Sequence, residues 1–169
     1  MKFIGFYWGV GGVLLLLSFA IFRLTPMALE LVGLPLSAWH YLALCFSIVL
    51  MAYSEGYKGF HLAFAPRVVM RAHYLAQNPR TSHVLLAPIF CMGFIHATRR
   101  RRLVSLSLSL MILGFIMTAR LLPQPWRGIL DAGVVTGLSL GNLSILYFLA
   151  MLKNNPKAIN VATEVPEPG

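Results

Sequence analysis

The chain has 169 residues, 58% hydrophobic and 11% charged, with a mean hydropathy of +0.75, against roughly 45–50% and 25% in ordinary soluble domains. This composition speaks against a water-soluble fold, and the length leaves no room for a separate catalytic domain beside four or five membrane spans. Fourteen Lys and Arg against five Asp and Glu give a net charge of +9. These cations fall between apolar runs and not on a polar domain, so the charge points to membrane orientation and anionic headgroups, and no nucleic-acid partner is expected.

The first apolar run, residues 4–22, follows Lys2 and ends at Arg23; at about 1.5 Å per residue it covers about 28 Å, enough to span. Residues 25–37 carry Pro26, Glu30, Gly33 and Pro35 and read as a connection. Trp39 and Tyr41 mark an interfacial entry to a second span over 38–54. Residues 55–82 are the least hydrophobic part of the body of the chain. There, Pro66 is well placed to open an amphipathic helix to about Gln77, with Arg67, Arg71 and Tyr74 on one face and Val68, Ala72 and Leu75 on another, lying along a membrane surface.

The apolar segment 83–98 is short and interrupted by Pro88. Residues 103–120 and 129–151 form two further spans, joined by a turn at Pro123, Gln124, Pro125 and Trp126. The tail, 153–169, is expected to be disordered and cytoplasmic. Cys45 and Cys91 lie in apolar runs without metal-ligand spacing and read as buried small hydrophobes.

Four consecutive arginines, Arg99, Arg100, Arg101 and Arg102, decide the threading. If five runs span, the cations divide 7:7 between the two sides and orient nothing. If segment 83–98 enters and leaves from one side, they divide 11:3 in favour of the side holding both termini. The expected architecture is therefore an all-α integral membrane protein: a four-helix transmembrane bundle with an interfacial amphipathic helix, a re-entrant or short fifth apolar segment, and both termini cytoplasmic.

Candidate functional residues fall into three groups. Lys58, Arg67, Arg71 and the four arginines 99–102 form a cationic layer for an anion or lipid headgroups. Glu55 and His61 are a polar candidate within the stretch densest in aromatic, charged and glycine residues; local pairing of Glu55 with Lys58, and of Asp131 with Arg127, is the simple alternative. Gly133, Gly137 and Gly141, at i, i+4 spacing, form a ridge for close helix packing within the bundle or in a homodimer, and Gly5 and Gly9 repeat the pattern in the first span, favouring a contact between the first and last helices.

No carboxylate pair, HExxH or CxxCH motif occurs, so no catalytic residue, metal or haem is expected. The sequence reads as a small, bacterial-type inner-membrane protein that acts as a non-enzymatic scaffold, assembly factor or accessory subunit. Its partners would be anionic lipids and another membrane protein or a second copy. The alternatives are a small transporter or channel for an anionic or proton-coupled substrate, and a haem-binding or lipid-modifying membrane enzyme.

Overall fold

The computed structural model describes residues 2–78, 81–95, 99–154 and 159, with the side chains of 2, 100–102, 104, 105, 108, 109, 111 and 115 excepted. Every element among them is helical: α1 (Lys2–Leu29), a 3-10 turn (Glu30–Gly33), α2 (Ala38–Met51), a π-helix (Ala52–Phe64), α3 (Ala65–Gln77), α4 (Thr81–Leu85), α5 (Ala87–Cys91), α6 (Arg99–Leu121) and α7 (Trp126–Asn154). Two helical stretches are long and apolar enough to cross a membrane, Phe3–Gly33 and Trp126–Asn154. Their apolar windows are only 28% and 22% buried, whereas the core helix of a soluble protein buries most of its surface. As a pure α-helix, α2 has 14 residues, fewer than a span needs. The expected four-span bundle therefore reduces, on length and composition, to two such stretches.

α7 is the axis of the fold: α1, α2, the π-helix and α3 all pack against it, while α6 meets α7 and little else among the described residues. α1 runs antiparallel to α7. Near one end Gln124 ties the two together, donating to Glu30 Oε2 at 2.7 Å while its Oε1 accepts the Gly128 N–H at 3.0 Å, an otherwise unpaired donor of the first turn of α7. Further along, Asn142 Nδ2 donates to Ser18 Oγ at 3.1 Å.

The expected connection at 25–37 is shorter than its prolines implied, because α1 continues through Pro26 to Leu29. Thr25 Oγ1 donates to the Ile21 carbonyl at 2.7 Å, a local bond within a turn where the proline cannot donate. Ser37 caps the start of α2, its backbone N–H donating to His40 Nδ1 at 3.2 Å.

The larger correction concerns residues 55–77. In place of an interfacial loop and a helix on the surface, α2, the π-helix and α3 form one uninterrupted helical run from 38 to 77. Pro66 can donate no N–H and its ring would crowd the carbonyl four residues back. The wider π winding before it relieves that crowding, and Ala65 N–H bonds Phe60 O, five residues back. α3 is not a surface helix: Val68, Val69, Ala72 and Leu75 are fully buried against α1, α5 and α7, and Arg71 is 2% exposed. An amphipathic pattern is the same whether the polar face meets headgroups or a neighbouring segment of the chain, and here it meets the chain.

α4 and α5 climb along α1. A side chain added at Gly5 would meet Val84, one at Gly9 would meet Cys91 and Ala87, and one at Gly12 would overlap Pro88; Trp8 Nε1 donates to Leu85 O at 3.2 Å. α5 then ends in a Schellman turn. Gly93 takes φ 84°, its N–H bonds Phe90 O at 3.0 Å, and Phe94 N–H bonds Ile89 O at 3.2 Å.

Candidate functional site

The residues singled out in the sequence separate into two places. Arg71 lies between α3 and the turn after α5: its Nε donates to Phe90 O at 2.7 Å, its Nη2 to Ile95 O at 2.8 Å, and its guanidinium stands 4.5 Å from the centre of the Phe90 ring. Carbonyls at and just past the end of a short helix carry partial negative charge and keep lone pairs for a side chain: Phe90 O takes the Gly93 N–H from the turn, and Ile95 O lies beyond it. The planar guanidinium can serve two of them at once while stacking on an aromatic face, which an ammonium cannot do. Arg71 is thus buried among backbone carbonyls and does not reach lipid headgroups. It joins the end of α5 to the strand of chain that follows it, holding both sides of the Gly93 turn on α3.

The second place is the π-helix where it crosses the middle of α7. The glycine ridge makes this approach possible. A Cβ at Gly137 would stand 3.1 Å from Glu55 Cβ, one at Gly141 would stand 2.7 Å from the Phe60 ring, and one at Gly133 would overlap Ser47 Oγ. On the other side, a Cβ at Gly56 would meet Leu140 at 2.6 Å. The ridge therefore receives α2 and the π-helix. α1 also packs on α7, but its Gly5, Gly9 and Gly12 face α3, α4 and α5.

On this crossing lie Glu55, Lys58 and His61. His61 is half-buried, its ring 5.8 Å from that of Tyr57, 5.6 Å from Tyr147 and 5.2 Å from Phe148. The Ser144 hydroxyl donates to Leu140 O at 2.8 Å and lies 3.2 Å from His61 Nδ1, a hydrogen bond that holds the ring against α7. Tyr53 and Tyr57 stack at 6.2 Å, and Lys58 Nζ stands 4.9 Å from the Tyr53 ring centre, a cation–π contact. Glu55 and Lys58 are exposed, and no ion pair joins them; the expected local pair does not form. Arg127 and Asp131 do pair, at 3.7 Å.

Of the remaining cations, Arg67 is half-buried and Arg99 exposed at the start of α6. The side chains of Arg100, Arg101 and Arg102, and most of the tail 153–169, lie outside the described residues. Among those described, no group of three or more His, Cys, Asp or Glu is placed to hold a metal ion. The grooves at Ser18, Ile21 and Phe22, and at Trp39, His40 and Trp126, are shallow and mostly apolar.

Sequence reasoning missed two features. The π winding has a local signal, two glycines followed by a proline within a continuous helical stretch. The burial of Arg71 has none nearby, since its partners lie 19 and 24 residues away. Compared with models of protein families, with curated proteins and with solved structures, the chain matches none.

Proposed function

We propose that the chain is a multi-pass inner-membrane protein acting as a non-enzymatic scaffold, assembly factor or accessory subunit, with a cationic cytoplasmic side on anionic lipid. Four spans are assigned: α1, the continuous run from α2 to α3, α6, and α7, with both termini cytoplasmic. What supports embedding is the outer surface of the bundle, where Phe19 and Phe22 of α1, Phe46 and Val49 of α2, and Leu110 and Leu113 of α6 are all more than half exposed; in water so large an apolar surface would aggregate. α4 and α5 form the re-entrant element, rising along α1 from Gly5 to Gly12 and turning at Gly93. The inner side of this segment, Ala87, Phe90 and Cys91, is buried, and non-spanning backbone is tolerated at membrane depth where its carbonyls find protein donors, as Arg71 provides to Phe90 and Ile95.

The single observation that carries an assembly role is the polar, uncovered face of the π-helix, with Glu55 and Lys58 both exposed, because ionisable groups at membrane depth face protein or water and not lipid. Arg99, exposed at the start of α6, represents the lipid-facing part of the cationic layer, where each cation near the surface contributes about 1 kcal/mol of attraction. The test is a single-cysteine scan in intact cells. Positions beside Arg99 should be labelled only from the cytoplasm, and the protein should remain in the membrane pellet after alkaline extraction. Labelling at Arg99 from outside removes the re-entrant topology, and release into the soluble fraction removes the membrane reading.

A second reading, a small proton-coupled or anion transporter, is favoured by the succession of Glu55, Lys58 and His61 along the same crossing. It requires uptake by proteoliposomes that is lost in Lys58→Ala.

A further inference from the structure

We propose that the outward face of the π-helix, carrying Tyr53, Ser54, Lys58 and Gly59 with Glu55 at its flank, is an intramembrane interface between two copies of this chain, in which Glu55 of each copy pairs with Lys58 of the other. The inference rests on the membrane reading above. Its first support is depth. Glu55 packs at Gly137, eleven residues along α7 from Trp126, which places it about 16 Å inside that end of the helix. The remaining seventeen residues to Asn154 extend about 25 Å the other way. The hydrocarbon layer is about 30 Å thick, so this stretch lies well within it.

The second support is the lack of cover. Residues 53–55 and 57–59 are all exposed, and Glu55 and Lys58 do not neutralise one another. A charged group at that depth costs about 2.5–3.5 kcal/mol on insertion scales unless it is paired. The third is the sign pattern. The patch carries one carboxylate and one ammonium, offset by three positions on one helix. A two-fold axis along the membrane normal brings each carboxylate towards the other copy's ammonium and leaves no charge over; a patch of one sign would have called for a different protein. The fourth is shape. Ser54 and Gly59 keep the face low between the tyrosines, and a Cβ at Gly59 would meet no atom nearer than Ser54 O at 3.4 Å and Glu55 Oε2 at 4.0 Å, both in its own helix. Small residues at such a face let a second backbone approach closely. The glycine ridge of α7 is already occupied by this same run of the chain, so self-association must use another surface.

The experiment uses the full chain in native membranes, in a Cys45→Ser background because Cys45 is exposed. With Ser54→Cys, mild oxidation should give a disulfide-linked dimer, whereas Phe19→Cys on the outer side of α1 should give none. Glu55→Lys alone and Lys58→Glu alone should each lower the cross-linked fraction about tenfold, the effect of losing roughly 1.4 kcal/mol. The combined exchange, Glu55→Lys with Lys58→Glu, should restore it. Restoration is the outcome that a lipid, a water-filled path or a different protein partner does not produce. No cross-link at Ser54→Cys overturns the dimer, and loss in both single variants without rescue in the double overturns the reciprocal pairing. Circular dichroism of each detergent-purified variant checks that helix content is unchanged; if the single variants unfold, Glu55→Gln and Lys58→Met take their place. Alkaline extraction of the parent chain reports the membrane reading separately, so a soluble protein and a monomeric membrane protein are distinguished.

Discussion

Arg71 and Lys58 are cations on the same continuous helical run, thirteen residues apart, and the chain treats them in opposite ways. Around Arg71 it provides backbone carbonyls at 2.7 and 2.8 Å, an aromatic face and full burial. Around Lys58 it provides one tyrosine ring on an open face. The guanidinium is completed by its own fold and holds the α5 turn in place. The ammonium, with Glu55 nearby, is exposed and makes no ion pair with it. A polar group whose partners are all internal belongs to the architecture, and the one without an internal ion pair is where we propose an interaction.

This contrast can be broken in order of expected effect. Arg71→Ala should be the most damaging, because it strips donors from buried carbonyls and opens a space on α3; a loss of about 3–5 kcal/mol is expected. Detergent or SDS unfolding measures it, and Cys91, now buried, should become reactive to thiol reagents in the same variant. If Arg71→Ala unfolds like the parent chain, the role given to the α5 clamp is wrong.

Gly141→Ala comes next. Its Cβ would stand 2.7 Å from the Phe60 ring, so α7 and the π-helix must move apart at a cost of about 1–3 kcal/mol; a Gly11→Ala control, where an added methyl meets nothing within 4 Å, should leave unfolding unchanged. Lys58→Ala in detergent-dispersed monomers is the smallest effect, with no resolvable change in unfolding, since the residue is exposed and makes no internal ion pair. A large destabilisation there would place Lys58 with Arg71 as an architectural group.

The apolar stretches at the two ends of the chain, the turn at Pro123 to Trp126 and the close-packing ridge of α7 are local patterns, and local patterns can be read directly. Hydropathy and glycine spacing depend on neighbours within one or two helical turns. The middle of the chain was less legible for the same reason. Its charges look like a surface layer to any window along the sequence, because a window cannot see that Phe90 O and Ile95 O will fold back onto Arg71. The π winding was hidden as well: Gly56, Gly59 and Pro66 read as breakers of a helix, whereas a wider turn lets the helix pass through them.

By itself, then, the sequence determined the helical class, the apolar character of the exterior and the excess of positive charge, because these are sums over composition and short-range periodicity. Only the tertiary structure decided which cation is interior and which is bare, which helix occupies the glycine ridge, and that Glu55 and Lys58 lie across the middle of α7. Those depend on contacts between residues far apart in the chain, where the free-energy cost of a buried charge is set by the groups that happen to fold against it.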